Sequence, residues 1–391
     1  MSQVKKIYLE PMWKLPISAN YIASCPPDGY EFIRADDTRN RFFLSASRYS
    51  LSYHLLNTFD KAIPMVIVSS GLQRWRKPPH GSVLTYAFPG HLVFRPEPWV
   101  VSMEYPGMLL GGDITHLSRF HHVLENAFSS PYCKKVICEY ETAMRALTST
   151  MDCTRFAGKI TVVLPAPPPI PQFMKIDTNS HLKLLTIGSG NIKGEFDGRG
   201  IRDVIEMFIR LRQKYPHIEL VVRSDMPPVD RRRYQNITGL RIIDQVIPRV
   251  ALEREFALAD IFVLPSHGTY PFTLMEAMSY ELPVVTLKTW ANAEFIDDGR
   301  TGLVVEASKK VPYYYKDTAH PNFGSDAFRK AIQHPDPEVV DNLVRKVILL
   351  IENAELRKRL GKAARQEVAT GRLSRVVRNG KLKQIFDEAT T

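Results

Sequence analysis

Apolar and polar positions alternate along this chain in blocks that set strands against helices. The clearest unit is DIFVLPSHGTYPFTLMEAMSYELPVV, residues 260–285. Its first apolar run stops at Pro265-Ser266. Between residues 273 and 280, Leu274, Ala277 and Met278 then recur at helical spacing, and a second apolar run follows. This predicts strand, polar loop, short helix and strand, with Glu276 inside the helix. A loop that ends at a helix start presents free N–H groups and a positive dipole end, which suits a phosphate. A carboxylate one turn in can accept hydrogen bonds from sugar hydroxyls. The alternative is a surface glutamate on an ordinary helix.

The same alternation runs through the rest of the chain. Short apolar runs bounded by turn residues predict strands at 5–10, 65–69 (MVIVS), 99–103 (WVVSM), 135–138 and 160–164. Helices are expected at 47–56, 116–128 and 139–147. PAPPPIPQF, residues 165–173, is stiff and extended and makes a natural domain connection. A cleaner series follows it, with strands at 182–187, 218–222, 241–247, 260–264, 282–287 and 302–305. Its helices fall at 201–214, 251–258 and 273–280, the first with a buried stripe of Ile201, Val204, Ile205, Phe208 and Leu211. Residues 309–335 break the rhythm by mixing basic residues with Tyr313, Tyr314, Tyr315, Phe323 and Phe328. This reads as a surface insertion in preference to a base-stacking patch. From 337 the chain is helical to its end. Such alternation implies an α/β architecture of doubly wound parallel sheets, with ligands at the carboxyl ends of the strands.

Length and charge narrow the picture. A chain of 391 residues is long for one core, so two domains are expected. No stretch approaches the roughly 20 apolar residues that span a bilayer, and MSQVKKIYLEPMW lacks the apolar core of a signal peptide, so a cytoplasmic location is expected. The four cysteines, Cys25, Cys133, Cys138 and Cys153, have no metal-ligand spacing and read as reduced and structural. The net charge of +11 favours anionic partners, and residues 356–383 hold ten Lys or Arg against the single acid Glu367. That run reads as a solvated helix face, with peripheral contact to an anionic membrane surface as its alternative. Nucleic-acid binding would rest on charge and the tyrosine cluster alone and is not expected.

The second half resembles the carboxy-terminal domain of retaining glycosyltransferases of the GT-B fold, specifically glycosyltransferase family 4 (glycosyl transferases group 1). The resemblance lies in an ordered set: GRG at 198–200 before a helix, ADIFVLPS, FTLMEAMSYELPVV, EFIDDGRTGLVV at 294–305, and the closing stretch LLIENAELRKRLGKAARQEV. It implies two Rossmann-like doubly wound domains facing across a cleft. Residues 1–170 form the amino-terminal acceptor domain and 171–372 the nucleotide-sugar donor domain, and 373–391 is a last helix that packs back on the first domain. The resemblance further implies that Glu276 bonds the ribose hydroxyls of the donor and that Phe272, Thr273 and Leu274 meet its diphosphate or sugar through backbone amides. Arg199 grips the diphosphate, with Lys193 as a second candidate, and Ile247, closing a strand, contacts the base. No metal and no cofactor is implied beyond the nucleoside-diphosphate sugar, with Arg199 and the helix start neutralising the leaving group.

The departures from the family pattern are as informative. Where the family carries a first glutamate that touches the donor sugar, this chain has Gly268, with His267 beside it as a substitute. Where the family shows Gly-Arg after the first strand of this domain, this chain has Gly188-Ser189, so one diphosphate cation is missing. Glu104, after WVVSM, falls where many members carry a histidine near the reacting carbon. A carboxylate there orients an acceptor hydroxyl, stabilises a cationic sugar, or simply caps a strand. The expected activity is transfer of a sugar from a nucleoside diphosphate to a glycan, a lipid-linked saccharide or a cell-surface precursor, with retention. The alternative is a non-catalytic glycosyltransferase-like subunit that binds a nucleotide sugar or a partner enzyme.

Overall fold

The computed structural model describes residues 4–10, 23–34, 63–75, 77–88, 91–112, 114–167, 175–176, 181–188 and 195–391. The helix expected at 47–56, the end of the proline-rich connector, Ser189 and Lys193 lie outside the described residues. The chain folds into two compact units. One comprises residues 1–165, 314–324 and 376–391; the other comprises 166–313 and 325–375.

The first unit is built on β1 (Lys5–Glu10), β2 (Tyr30–Ile33), β3 (Ser82–Ala87), β4 (Trp99–Met103), β5 (Cys133–Cys138) and β6 (Ile160–Val162). They form one parallel sheet in the order β2-β1-β3-β4-β5-β6. Trp99, Val100, Val101 and Met103 are wholly buried, as expected of a central parallel strand covered on both faces. The segment 65–69 corrects the sequence reading, since it opens the helix Met65–Gln73 instead of forming a strand. Pro64 sets the backbone ahead of the first turn, and its carbonyl accepts from Ile67 and Val68 N–H at 2.9 and 3.3 Å. An apolar run of this length does not by itself separate a buried helix from a strand. The strands Tyr30–Ile33 and Ser82–Ala87 were not anticipated. Two later segments belong to this unit. In Tyr314–Gly324, His320 Nε2 accepts from Gly107 N–H at 3.1 Å while Nδ1 lies 2.7 Å from Pro321 O. In the last helix, Tyr30 Oη donates to Asp387 at 2.6 Å and Phe386 packs edge-on against Tyr30 and Tyr86.

The second unit carries β7 (Lys183–Ile187), β8 (Glu219–Arg223), β9 (Leu240–Ile243), β10 (Ile261–Leu264), β11 (Val284–Leu287) and β12 (Gly302–Val305). These form a parallel sheet in the order β12-β11-β10-β7-β8-β9. The strand order reverses between β7 and β10, so the connections leaving their carboxyl ends run in opposite directions and leave between them the crevice where such sheets take ligands. Val204, Ile205, Phe208 and Leu211 of the helix Ile201–Lys214 and Val340, Leu343, Val347 and Leu350 of the helix Pro337–Glu352 cover the sheet and are almost wholly buried. Much of the basic run at 356–383 is spent internally. Arg357 donates to Leu350 O, Arg372 pairs with Glu367 and Asp297, Arg378 reaches Cys25 O, and Lys383 pairs with Asp387. Among the described residues no helix is long and apolar enough to cross a membrane.

Candidate functional site

In the second unit the chain leaves β7 at Gly188 and returns through the short helical turn Glu195–Gly198 to Arg199 and Gly200, which start the helix Ile201–Lys214. Gly200 has a φ of +66°, and a Cβ there would stand 2.2 Å from Pro265 O, so the glycine lets the loop after β7 press against the loop after β10. His267 N–H closes the same contact by donating to Gly198 O at 2.8 Å. The crevice at the strand reversal is thereby lined by Arg199 on one side and the segment 265–276 on the other.

Arg199 is nearly buried and strongly engaged. Its guanidinium donates to Glu195 Oε2 at 3.1 and 3.2 Å and to Thr273 Oγ1 at 3.2 Å, and Cζ lies 3.5 Å from the centroid of the Tyr270 ring. This cation–π stack was not foreseen. Gly268 lies beside this ring, where a Cβ would stand 3.6 Å from it in ordinary contact. The place of a sugar-binding carboxylate thus borders an aromatic face laid over the arginine.

The short helix Pro271–Ser279 brings Thr273 and Glu276 to the same side of the domain as Arg199. Leu274 is wholly buried, which leaves only its backbone for a ligand. Thr273 and Leu274 N–H both return to Tyr270 O, at 3.1 and 3.3 Å, and Pro271 has no N–H. Among the described residues, Phe272 N–H is therefore the unengaged donor of this first turn. Glu276 is ion-paired to Arg249, at the start of the helix Arg249–Leu258. Burial raises the Glu276 pKa, and the Arg249 charge and hydrogen bond work against that rise. Ile247 does not close a strand, because β9 ends at Ile243; it sits half-buried on the loop leading to Arg249. Pro248 is the N-cap of that helix.

His267 is drawn inward. Its Nδ1 lies 2.8 Å from Tyr313 Oη and its Nε2 lies 3.7 Å from Asp203 Oδ2, so both ring nitrogens face partners within the domain. Gly268 O and Ser266 O accept from the buried Asn292 amide at 3.2 and 3.3 Å, which fixes the loop after β10.

Glu104 belongs to the first unit. Met103 and Cys138 are register partners, and Glu139 N–H donates to Met103 O at 3.0 Å, so Glu104 and Glu139 leave adjacent strands side by side. Ser102 Oγ donates to Glu139 at 2.9 Å. Glu139 is buried, and Glu104 keeps some accessible surface but is closely surrounded by protein atoms. Burial raises both carboxyl pKa values. The Glu139 charge adds to the rise at Glu104, while Ser102 and Arg378 oppose it at Glu139. A carboxyl whose folded-state pKa is raised contributes stability that is present below its unfolded value and lost as pH rises through the folded value. Glu104→Gln is therefore expected to raise Tm at pH 8 relative to the parent chain and to change it little at pH 5. Thermal melts at the two pH values check this, and equal shifts at both would contradict it.

Sequence reasoning missed Tyr270, Arg249, Glu139 and Arg223. Three of these are polar residues at an element's edge, and Arg223 follows the apolar run LVV in the strand ELVVR, a placement that marks a charge at the carboxyl end of a sheet.

Comparison with known proteins agrees with this architecture. Residues 182–313 match the family model for glycosyl transferases group 1. No curated protein matches the chain by sequence. Among solved structures, Anabaena HepE, crystallised with UDP and glucose, aligns at a TM-score of 0.59 and 14% identity over 98% of this chain and 100% of its own. Sucrose-phosphate synthase from Thermosynechococcus elongatus aligns at a TM-score of 0.57 and 14% identity over 85% of this chain and 79% of its own. With its two parallel six-stranded sheets the chain has the GT-B fold, and the match to the glycosyl transferases group 1 model falls on residues 182–313 of its second unit.

Proposed function

We propose that this chain is a glycosyltransferase that takes its sugar from a UDP-sugar and transfers it with retention to a glycan, a lipid-linked saccharide or a cell-surface precursor. The observation that carries the reading is the grouping of Arg199, Thr273 and Glu276 about the strand reversal of a glycosyl transferases group 1 domain. The choice of uridine comes from HepE, whose crystal structures hold UDP and UDP-glucose.

Chemically, the transfer asks little covalent work of the protein. Departure of the nucleoside diphosphate leaves an oxocarbenium-like sugar, and the rate depends on stabilising the negative charge that grows on the leaving oxygen. Arg199, held by Glu195 and Thr273, supplies a fixed cation, and Glu276 anchors the ribose. Because Tyr270 covers Arg199, the reading of a nucleotide-sugar-binding subunit without turnover has a specific observation in its favour. Both readings require nucleotide binding. A ligand that binds only the folded state raises Tm by mass action. UDP and UDP-sugars are expected to raise the Tm of the full chain, and a chain whose Tm responds to no nucleotide would sink both.

A further inference from the structure

We infer that Arg223 is the second diphosphate-binding cation of this domain, replacing from the neighbouring strand the arginine that Ser189 displaces. The inference rests on the nucleotide-sugar reading above for the identity of the ligand, and on the following geometry for the site itself.

Arg223 is the last residue of β8. It is the register partner of Ile187, and its carbonyl accepts from Gly188 N–H at 2.7 Å. It therefore stands level with the first residue of the loop that would otherwise carry the missing arginine. The residue is only 8% exposed. Among the described residues its Nε has no hydrogen-bond partner and its guanidinium makes no ion pair. The other arginines of this strand edge differ, since Arg199 is paired to Glu195 and Arg202 to Asp197 and Asp230. Ser224 Oγ, next in the chain, is also buried and has no partner among the described residues. It lies so close to Gly188 that a Cβ there would approach it to 2.1 Å.

A guanidinium cannot shed its proton to escape such a place. Burial, and after it the charge of Arg199, bear against the charged form of Arg223. Two cations near one another at the carboxyl edge of β7 and β8, one of them lacking a counter-charge among the described residues, form a site that is costly when empty and satisfied by a polyanion. A diphosphate carries the charge and the acceptor oxygens to meet both guanidiniums. Arg223 in this role is a binding residue, with Ser224 Oγ as a further donor.

The test is calorimetric titration of the full chain and of Arg223→Met and Arg223→Lys with UDP, inorganic pyrophosphate and uridine, together with melts of the ligand-free proteins. Arg223→Met is expected to weaken UDP and pyrophosphate by about tenfold or more, to leave uridine unchanged, and to raise the ligand-free Tm. A purely structural arginine would not give that last sign. Arg223→Lys, which keeps the charge, should retain most of the binding. Equal UDP affinity in the parent and Arg223→Met would remove Arg223 from the site and leave the nucleotide reading standing. A parent chain that ignores UDP but takes pyrophosphate in an Arg223-dependent way would do the reverse. Binding of neither anion by the parent would end both.

Discussion

Arg199→Ala is expected to lower the rate of donor turnover by about a hundred- to a thousand-fold, the usual loss when one preorganised donor to a developing negative charge is removed. The guanidinium is placed in advance by Glu195 and Thr273, which limits the reorganisation needed as the diphosphate leaves. Arg199→Lys keeps a charge but loses the planar fork and the stack, and should fall between parent and alanine variant. The measurement is the single-turnover rate of UDP release alongside UDP affinity. A loss confined to affinity, with the rate at saturation unchanged, would make Arg199 a ground-state binding group only. Stability should change little, because Glu195 is partly exposed and can take water in place of the pair.

Glu276→Ala is expected to weaken UDP binding by about ten- to a hundred-fold, the worth of hydrogen bonds to an ionised group at roughly 1.5–3 kcal/mol. A ligand pair identifies the contact. The parent chain should prefer UDP to 2′,3′-dideoxy-UDP, and the variant should lose that preference, since the carboxylate and the ribose hydroxyls form one interaction. Arg249, which pairs with Glu276 in the ligand-free chain, retains Glu253 at 2.7 Å and is well exposed, so its release costs little. Undiminished preference in the variant would place the ribose elsewhere.

Much of the second unit was legible because its strands are short, apolar and bounded by glycine or proline, and because the helix Ile201–Lys214 keeps a 3.6-residue stripe. The first unit was less so. The run at 65–69 carries no periodicity that separates helix from strand, and the proline that decides it lies just before the run. The candidate positions that depend on chain order were legible, in that Arg199 and Glu276 were placed near the starts of the helices that follow β7 and β10. The site was hidden where residues distant in sequence meet across the sheet edge. Tyr270 comes over Arg199 only once the loops after β7 and β10 meet, and Arg223 gained meaning only beside Gly188 on the adjacent strand. His267 shows the converse, since proximity in sequence to the altered position suggested a ligand role while its ring faces Tyr313 and Asp203.

The proposal of a sugar transferase is tested most directly by incubating the full chain with a panel of UDP-sugars and following UDP release. The proposal predicts slow, saturable release from at least one sugar, with the liberated sugar keeping its anomeric configuration and with the release lost in Arg199→Ala. UDP-sugar binding without release of UDP from any member of the panel would contradict it and leave a nucleotide-sugar-binding subunit in its place.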